Sequence, residues 1–288
     1  MKIGFNMLLW TPFVTERHFP LFEKLKAAGY DGVELEIIEG DVAHYRRAAQ
    51  ALKDCGLEST GVTIIPDEGR NPISPDPARR KAGIVHLRWA VECAAALGAR
   101  VLCGPFYQPL GVFSGKGPTE DEKAWAAETH WQAAEAAKTA GITLAVEALN
   151  RFECYFLNTM ADATAHARRV NHPNFGLMYD TFHANIEEKD PIGALAGAMG
   201  LLRHVHISEN DRGTPGRGHV PWGETFRVLR RGGYDGWLTV EAFGRALPEL
   251  AATTCVWRDL SASPEEVVLE GIKMIKEQWE AAGSKGGK

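Results

Sequence analysis

The sequence predicts a single (β/α)8 barrel, and three observations carry that prediction. A unit made of an Ala/Leu/Lys/Arg-rich helical stretch, a Gly and a short apolar run recurs as "KLKAAGYDGVELEII", "ALKDCGLESTGVTII", "CAAALGARVLCGPF", "AAKTAGITLAVEAL" and "VLRRGGYDGWLTVEAF". Adding "KIGFNML", "NFGLMYDT" and "LRHVHIS" brings the apolar runs to about eight, the number a closed barrel needs. No G-x-G-x-x-G follows the first run, so the rival doubly wound sheet lacks its fingerprint.

Each element has a local reason. Strands are expected near 2–8, 32–38, 58–65, 100–106, 143–149, 175–181, 202–208 and 237–243, with long helices between them, among them 77–97, 119–140 and 264–282. The Gly that closes each helical stretch suits a helix C-terminus, where the chain turns left-handed and only Gly does so freely. Strands that alternate with helices pair in parallel, because a parallel neighbour is reached only by a crossover. No internal boundary interrupts the pattern, so residues 1–288 read as one domain, with a frayed tail over about 284–288 in "GSKGGK".

Composition narrows the partners. The 288 residues are 45% hydrophobic and 24% charged, ordinary globular material with a formal net charge of −5. That balance offers no basic field for a phosphate backbone, so nucleic acid is excluded and a small solute is favoured. Five cysteines without C-x-x-C spacing argue against a zinc knuckle or a disulfide framework and fit a reducing cytoplasm. No run approaches ~18 apolar residues, and "MKIGFNMLLW" lacks a signal-peptide core and cleavage site, so no membrane association is expected.

In a barrel of this kind the chemistry lies at the C-terminal ends of the strands. Ionisable residues close four of the apolar runs: Glu147 in "LAVEALN", Asp180 in "GLMYDT", His206 in "HVHIS" and Glu241 in "LTVEAF", on strands five to eight. Three carboxylates cannot crowd together ionised in a low-dielectric pocket, and a divalent cation resolves the conflict. With a neutral imidazole the set carries −3, or −1 with the ion. Three oxygens and one nitrogen form a hard donor set, which favours Mn²⁺, Co²⁺ or Mg²⁺ over a thiolate-seeking ion.

The loops beyond those strands add Glu153, His183 and Arg212, which supply the donors and acceptors a polyhydroxylated ligand needs. His204 shares the face of His206 one layer deeper and is expected to orient it, whereas Ser208 could meet substrate or cap a helix. Asn6 lies in strand one, and the aromatics Trp10, Phe13, Phe106, Tyr107 and Phe113 follow strands one and four; of these, Asn6, Trp10, Phe106 and Tyr107 are candidate pocket residues.

These motifs, "VEALNRFE" (146–153), "DTFHANIEE" (180–188), "HVHISENDRG" (204–213) and "VEAF" (240–243), resemble those of the ketose 3-epimerases among the xylose-isomerase-like barrels, and the resemblance spans essentially the whole chain. It implies that Glu147, Asp180, His206 and Glu241 bind one metal ion per subunit, Mn²⁺ foremost, and that Glu147 and Glu241 are paired acid/base carboxylates. It also implies substrate contacts from Glu153, His183 and Arg212, and a homodimer or homotetramer. "FNMLLW" departs from the aromatic-rich run of several hexulose-preferring members, so substrate length is not carried over.

The implied reaction is epimerisation at C3 of a free ketose such as D-tagatose, D-fructose, D-allulose or L-ribulose, through a cis-enediolate. The ion acts as Lewis acid and template, and the two glutamates exchange roles as base and acid. Hydroxypyruvate isomerase-like and inosose dehydratase-like chemistry on the same barrel are the alternatives, with a sugar-binding protein as the non-enzymatic one. An apurinic-site nuclease needs several zinc ions and a basic rim, against which His183, His204, His206 and His219 alone are placed and the chain is acidic.

Overall fold

The computed structural model describes residues 1–284. Eight parallel strands close on themselves in sequence order, β1 pairing with both β2 and β8. They are β1 Lys2–Asn6, β2 Gly32–Glu36, β3 Glu58–Val62, β4 Val101–Gly104, β5 Thr143–Glu147, β6 Phe175–Asp180, β7 Leu202–Ile207 and β8 Trp237–Val240. The helices are α1 Pro20–Ala28, α2 Val42–Asp54, α3 Pro77–Leu97, α4 Glu120–Ala140, α5 Met160–Val170, α6 Thr181–Glu187, α7 Pro191–Ala198, α8 Trp222–Arg231, α9 Pro248–Thr253 and α10 Pro264–Ser284. The tail expected to fray lies, from residue 285 onward, outside the described residues.

Helix limits follow local chemistry. Thr119 and Glu122 cap each other's backbone at the start of α4, as Thr159 and Asp162 do at α5. Asp76 accepts from the Ala78 N–H with Pro77 behind it, which starts α3 at the expected residue. Three of the five repeats end on a left-handed Gly as expected (Gly29, Gly98, Gly141), while in α2 and α8 the positive φ falls one residue later, at Gly56 and Gly233. All eight strands end one to three residues earlier than the apolar runs suggest, and at β1 and β6 side chains there turn the backbone. Asn6 caps the turn after β1, and Asp180 Oδ1 accepts from the Phe182 N–H to begin α6.

Alternation along each strand separates two apolar regions. Val33, Leu35, Leu102, Val146, Leu177, Val205, Leu238 and Val240 face outward into the large core shared with the helices. Inside, the cluster of Val62, Cys103, Ala145 and Met178 is small, Trp237 packs over Gly4 and Gly32, and the positions nearer the mouth are mostly polar.

One irregularity sets the inner face. Leu177 pairs with Leu202, but the next residue of β6, Met178, pairs with His204. Leu202 therefore packs in the outer core while His204, two residues on, lies inside the barrel. A regular strand would keep residues i and i+2 on one face, so this bulge is what turns both imidazoles inward.

The wall is also tight beside the mouth. Gly104 holds φ +123°, and a Cβ there would sit 2.3 Å from the Thr63 carbonyl oxygen. Gly104→Ala is expected to destabilise the barrel by about 3 kcal/mol, read as a lower urea midpoint with an unchanged m-value. An unchanged midpoint would contradict this account of the β3–β4 contact.

Candidate active site

The centre of the site is built upward from a buried carboxylate, Glu34, which is fully enclosed on β2. Its Oε1 accepts from Asn6 Nδ2 at 3.1 Å and lies 2.6 Å from His206 Nε2. Its Oε2 accepts from Thr60 Oγ1 at 2.9 Å and from Cys103 Sγ at 3.3 Å, and lies 2.9 Å from His204 Nε2. Burial pushes the Glu34 carboxyl up, but His206 and then His204 outweigh it and hold the group well below the ordinary carboxylate range.

With Nε2 engaged by Glu34, the other ring nitrogen of His206 is directed to the mouth. Nδ1 lies 3.4 Å from Glu241 Oε1 and 3.9 Å from Asp180 Oδ2, and is buried without a hydrogen-bond partner. His204 sits one layer below, as expected from its spacing. Glu34, Cys103, His204 and His206 also lie close enough to hold an ion, but Glu34 spends both oxygens on protein donors, which makes it a hydrogen-bond hub.

Two groups of side chains meet at the mouth. Asp180, His206 and Glu241 bring one ligand atom each within 4.8 Å of one another, and so do Glu147, Asp180 and His183. Asp180 belongs to both, so Glu147 joins the expected quartet through Asp180, with His183 beside it. His183 Nδ1 accepts from the Asn150 N–H at 3.0 Å, and its Nε2 stands 3.7 Å from both Glu147 Oε1 and Asp180 Oδ2. Burial lowers its pKa to about 3, which keeps the ring neutral.

Arg212 enters this cluster from the β7–α8 loop. Its guanidinium donates to Asp180 Oδ2 at 2.9 Å, to Ser208 Oγ at 3.0 Å and to Glu241 Oε2, and lies between the rings of Phe182 and Phe243 at 4.0 and 4.6 Å. The residue holds a left-handed φ of +66°, uncommon for a side chain of this size. Ser208 therefore meets Arg212 in this structure, while its N–H takes the Thr181 hydroxyl.

The two glutamates at the mouth diverge electrostatically. Burial, then Asp180, pushes Glu147 well above the carboxylate range, whereas at Glu241 the effect of burial is overcome by Arg212 and His206, which hold it down at about 2. Glu153 is half-buried; burial raises its pKa against the pull of Arg212, and Asn150 Nδ2 donates to it at 2.7 Å.

The candidate pocket aromatics are placed elsewhere. Trp10 stacks on the outward-facing Phe5 at 4.9 Å and lines a groove of about 400 Å³ outside the barrel, between α1 and α10. Phe106 packs against His130 and Phe175 behind the barrel wall, and the Tyr107 hydroxyl lies 3.1 Å from Cys154 Sγ. The reason is that β4 ends at Gly104, two residues before the expected end, so the chain has already turned outward. Phe13 stacks on His44 and Phe113 is exposed. Asn6 does point inward, and donates to Glu34.

Three acidic residues escaped the test for ionisable groups at strand ends. Glu34 lies in mid-strand, and Glu36 ends β2 inside an apolar run that continues through Ile37 and Ile38. The "VELE" alternation is the signal that could have found both. Glu209 accepts from the backbone N–H groups of Gly216 and Val220 and from Trp222 Nε1, tying down the loop that carries Arg212.

This arrangement belongs to a known class. A family described as the xylose isomerase-like TIM barrel matches residues 22–278. The ketose 3-epimerase of Arthrobacter globiformis is 34% identical over 284 residues, 98% of each chain, and the L-ribulose 3-epimerase of Methylomonas sp. is 32% identical over 257 residues, 88% of each. A solved L-ribulose 3-epimerase superposes with a TM-score of 0.92 at 29% identity, over 99% of this chain and 96% of that one. A D-allulose 3-epimerase from Methylomonas sp., solved in complex with D-allulose, gives 0.89 at 30% identity over 96% and 97%. The chain is thus an isomerase-class enzyme on a xylose isomerase-like barrel. Within that class it belongs to the ketose 3-epimerase family.

Glu34→Ala removes the hydrogen-bond partner of Asn6, Thr60, Cys103 and His206 and the ion-pair partner of His204, and leaves His206 unclamped. The expected cost is about 3–5 kcal/mol, the range for stripping one partner from a buried ionic cluster. Chemical denaturation reads it, and a cost under about 1 kcal/mol would deny Glu34 its place as the hub.

Proposed function

We propose that the enzyme epimerises free ketoses at C3 and that Glu147 and Glu241 perform the two proton transfers. The observation that supports this reading is the placing of two carboxyls at the ends of β5 and β8 in the two side-chain groups that share Asp180, Glu147 3.7 Å from His183 Nε2 and Glu241 3.4 Å from His206 Nδ1, with burial pushing the first up and Arg212 and His206 holding the second down. One of the two, as a carboxylate, takes the C3 proton, the C3–H electron pair moves toward the C2 carbonyl to give an enediolate, and a proton returns to C3 from the opposite face. The reverse reaction exchanges the roles. His183, Arg212 and Glu153 orient the oxygens around the reacting carbons.

Asp180, His206 and Glu241, joined by Glu147, would hold a divalent cation. The unpartnered Nδ1 of His206 and the oxygen-rich surroundings fit a hard ion, Mn²⁺ foremost, with Co²⁺ or Mg²⁺ as substitutes. Such an ion supplies Lewis-acid stabilisation of the negative charge developing on the substrate oxygens. D-Tagatose, D-fructose, D-allulose and L-ribulose are the ketoses to test first. The reading includes action in the cytoplasm, which the five unpaired cysteines support, and assembly as a homodimer or homotetramer, which light scattering tests.

Solvent deuterium is expected to enter C3 of a ketose with the wild type and to be lost, by at least about 10³-fold in rate, in both Glu147→Gln and Glu241→Gln with the fold intact. Retention of exchange in either variant removes that residue from the role; proton transfer between C1 and C2 instead would indicate aldose–ketose isomerisation.

Exhaustive chelation is expected to abolish turnover and Mn²⁺ to restore it. Protons on the raised Glu147 and His206 groups compete with the cation, so Mn²⁺ affinity is expected to tighten as pH rises from about 6 to 8, with proton release in calorimetry. Normal turnover by metal-free protein, or affinity independent of pH, would refute this part of the reading.

A further inference from the structure

Glu36 is the second acid of "VELE", and the contrast with its neighbour is large. Glu34 accepts from a full set of protein donors, whereas both carboxylate oxygens of Glu36 are buried and have no hydrogen-bond partner. Residues two apart on a strand share a face, so Glu36 points into the barrel as Glu34 does, one layer nearer the mouth, level with Val62 on β3. It is 4% exposed. An unpartnered buried carboxyl is costly, and no fold requires one at this position; such groups persist where a ligand completes them.

The barrel's closure says which part of a ligand that is. In a ring of eight strands β2 stands opposite β6, which carries Asp180, and the reacting carbons would lie near Asp180, between Glu147 and Glu241. A ketose whose C2 and C3 lie there extends its tail toward β2.

We propose that Glu36 is a specificity-determining residue that hydrogen-bonds the substrate's hydroxyls beyond C4, so that the site selects ketoses of five or six carbons carrying a free polyol tail. This rests on the epimerase reading for where the sugar lies. A carboxyl there accepts from hydroxyls when ionised and both donates and accepts when neutral, so the contact survives either state. A site whose buried polar group needs a hydroxyl rejects analogues lacking it, because binding them leaves that group unmet.

The test compares wild type, Glu36→Gln and Glu36→Ala, loaded with Mn²⁺, on D-fructose and on the four-carbon L-erythrulose, which has C3 but nothing beyond C4. C3 deuterium exchange and calorimetric Kd are both read. Glu36→Ala is expected to lower kcat/KM for D-fructose by about 10- to 100-fold and to leave L-erythrulose within about twofold, with Glu36→Gln falling between. Both variants should melt at or above the wild-type temperature, because an unmet buried carboxyl has been removed. Equal losses on the two sugars, or lower melting temperatures, would make Glu36 a structural residue and overturn the proposal. If the wild type binds D-fructose but exchanges no C3 proton, the epimerase reading falls, while the same ratio taken in Kd still decides the role of Glu36. A wild type that binds neither sugar overturns both.

Discussion

The contact between the Glu34 carboxylate and the Nε2 atoms of His206 and His204 is the constraint on which the site depends. It commits one nitrogen of His206 to the barrel interior, and so sends Nδ1 toward Asp180 and Glu241. A carboxylate behind an imidazole fixes both its tautomer and its orientation. Here the carboxylate is itself held by Asn6 and Thr60, from the strands on either side of its own. The orientation of one imidazole is thus shared among four strands, β1, β2, β3 and β7.

Above this hub the charge balance is deliberate in physical terms. Glu147, Asp180, Glu241 and the half-buried Glu153 surround a single guanidinium, and burial, with the Asp180 charge added to it, raises the Glu147 carboxyl. Arg212 does not distribute its charge evenly. It donates to Asp180 and Glu241 but to neither oxygen of Glu147, and with His206 it holds Glu241 down while burial keeps Glu147 up. The Phe182 and Phe243 rings flank the guanidinium, and Glu209 holds the loop that carries it.

The interior of the barrel makes this possible. Most apolar packing lies between the strands and the helices, and the inside holds only the small cluster of Val62, Cys103, Ala145 and Met178 with Trp237 over Gly4 and Gly32. Polar side chains can therefore occupy the inner layers and satisfy one another there. Glu36 stands out against that pattern as the acid whose partners the protein does not provide.

The sequence by itself determined the barrel, the order of its elements and the four ionisable residues at the ends of β5 to β8, because helix stops, caps and alternation are local properties of the chain. It also placed His204 below His206, since spacing of two along a strand is local as well. Ring closure was needed for the rest. Glu34 reaches His206 across 172 residues of sequence, and no local pattern reports that pair. The bulge that turns β7 inward depends on register with β6, and the departure of Trp10, Phe106 and Tyr107 from the mouth depends on where neighbouring ladders end. Which acid is pushed up, which is held down and which is left unmet depend on distances between strands, and those exist only once the ring is closed.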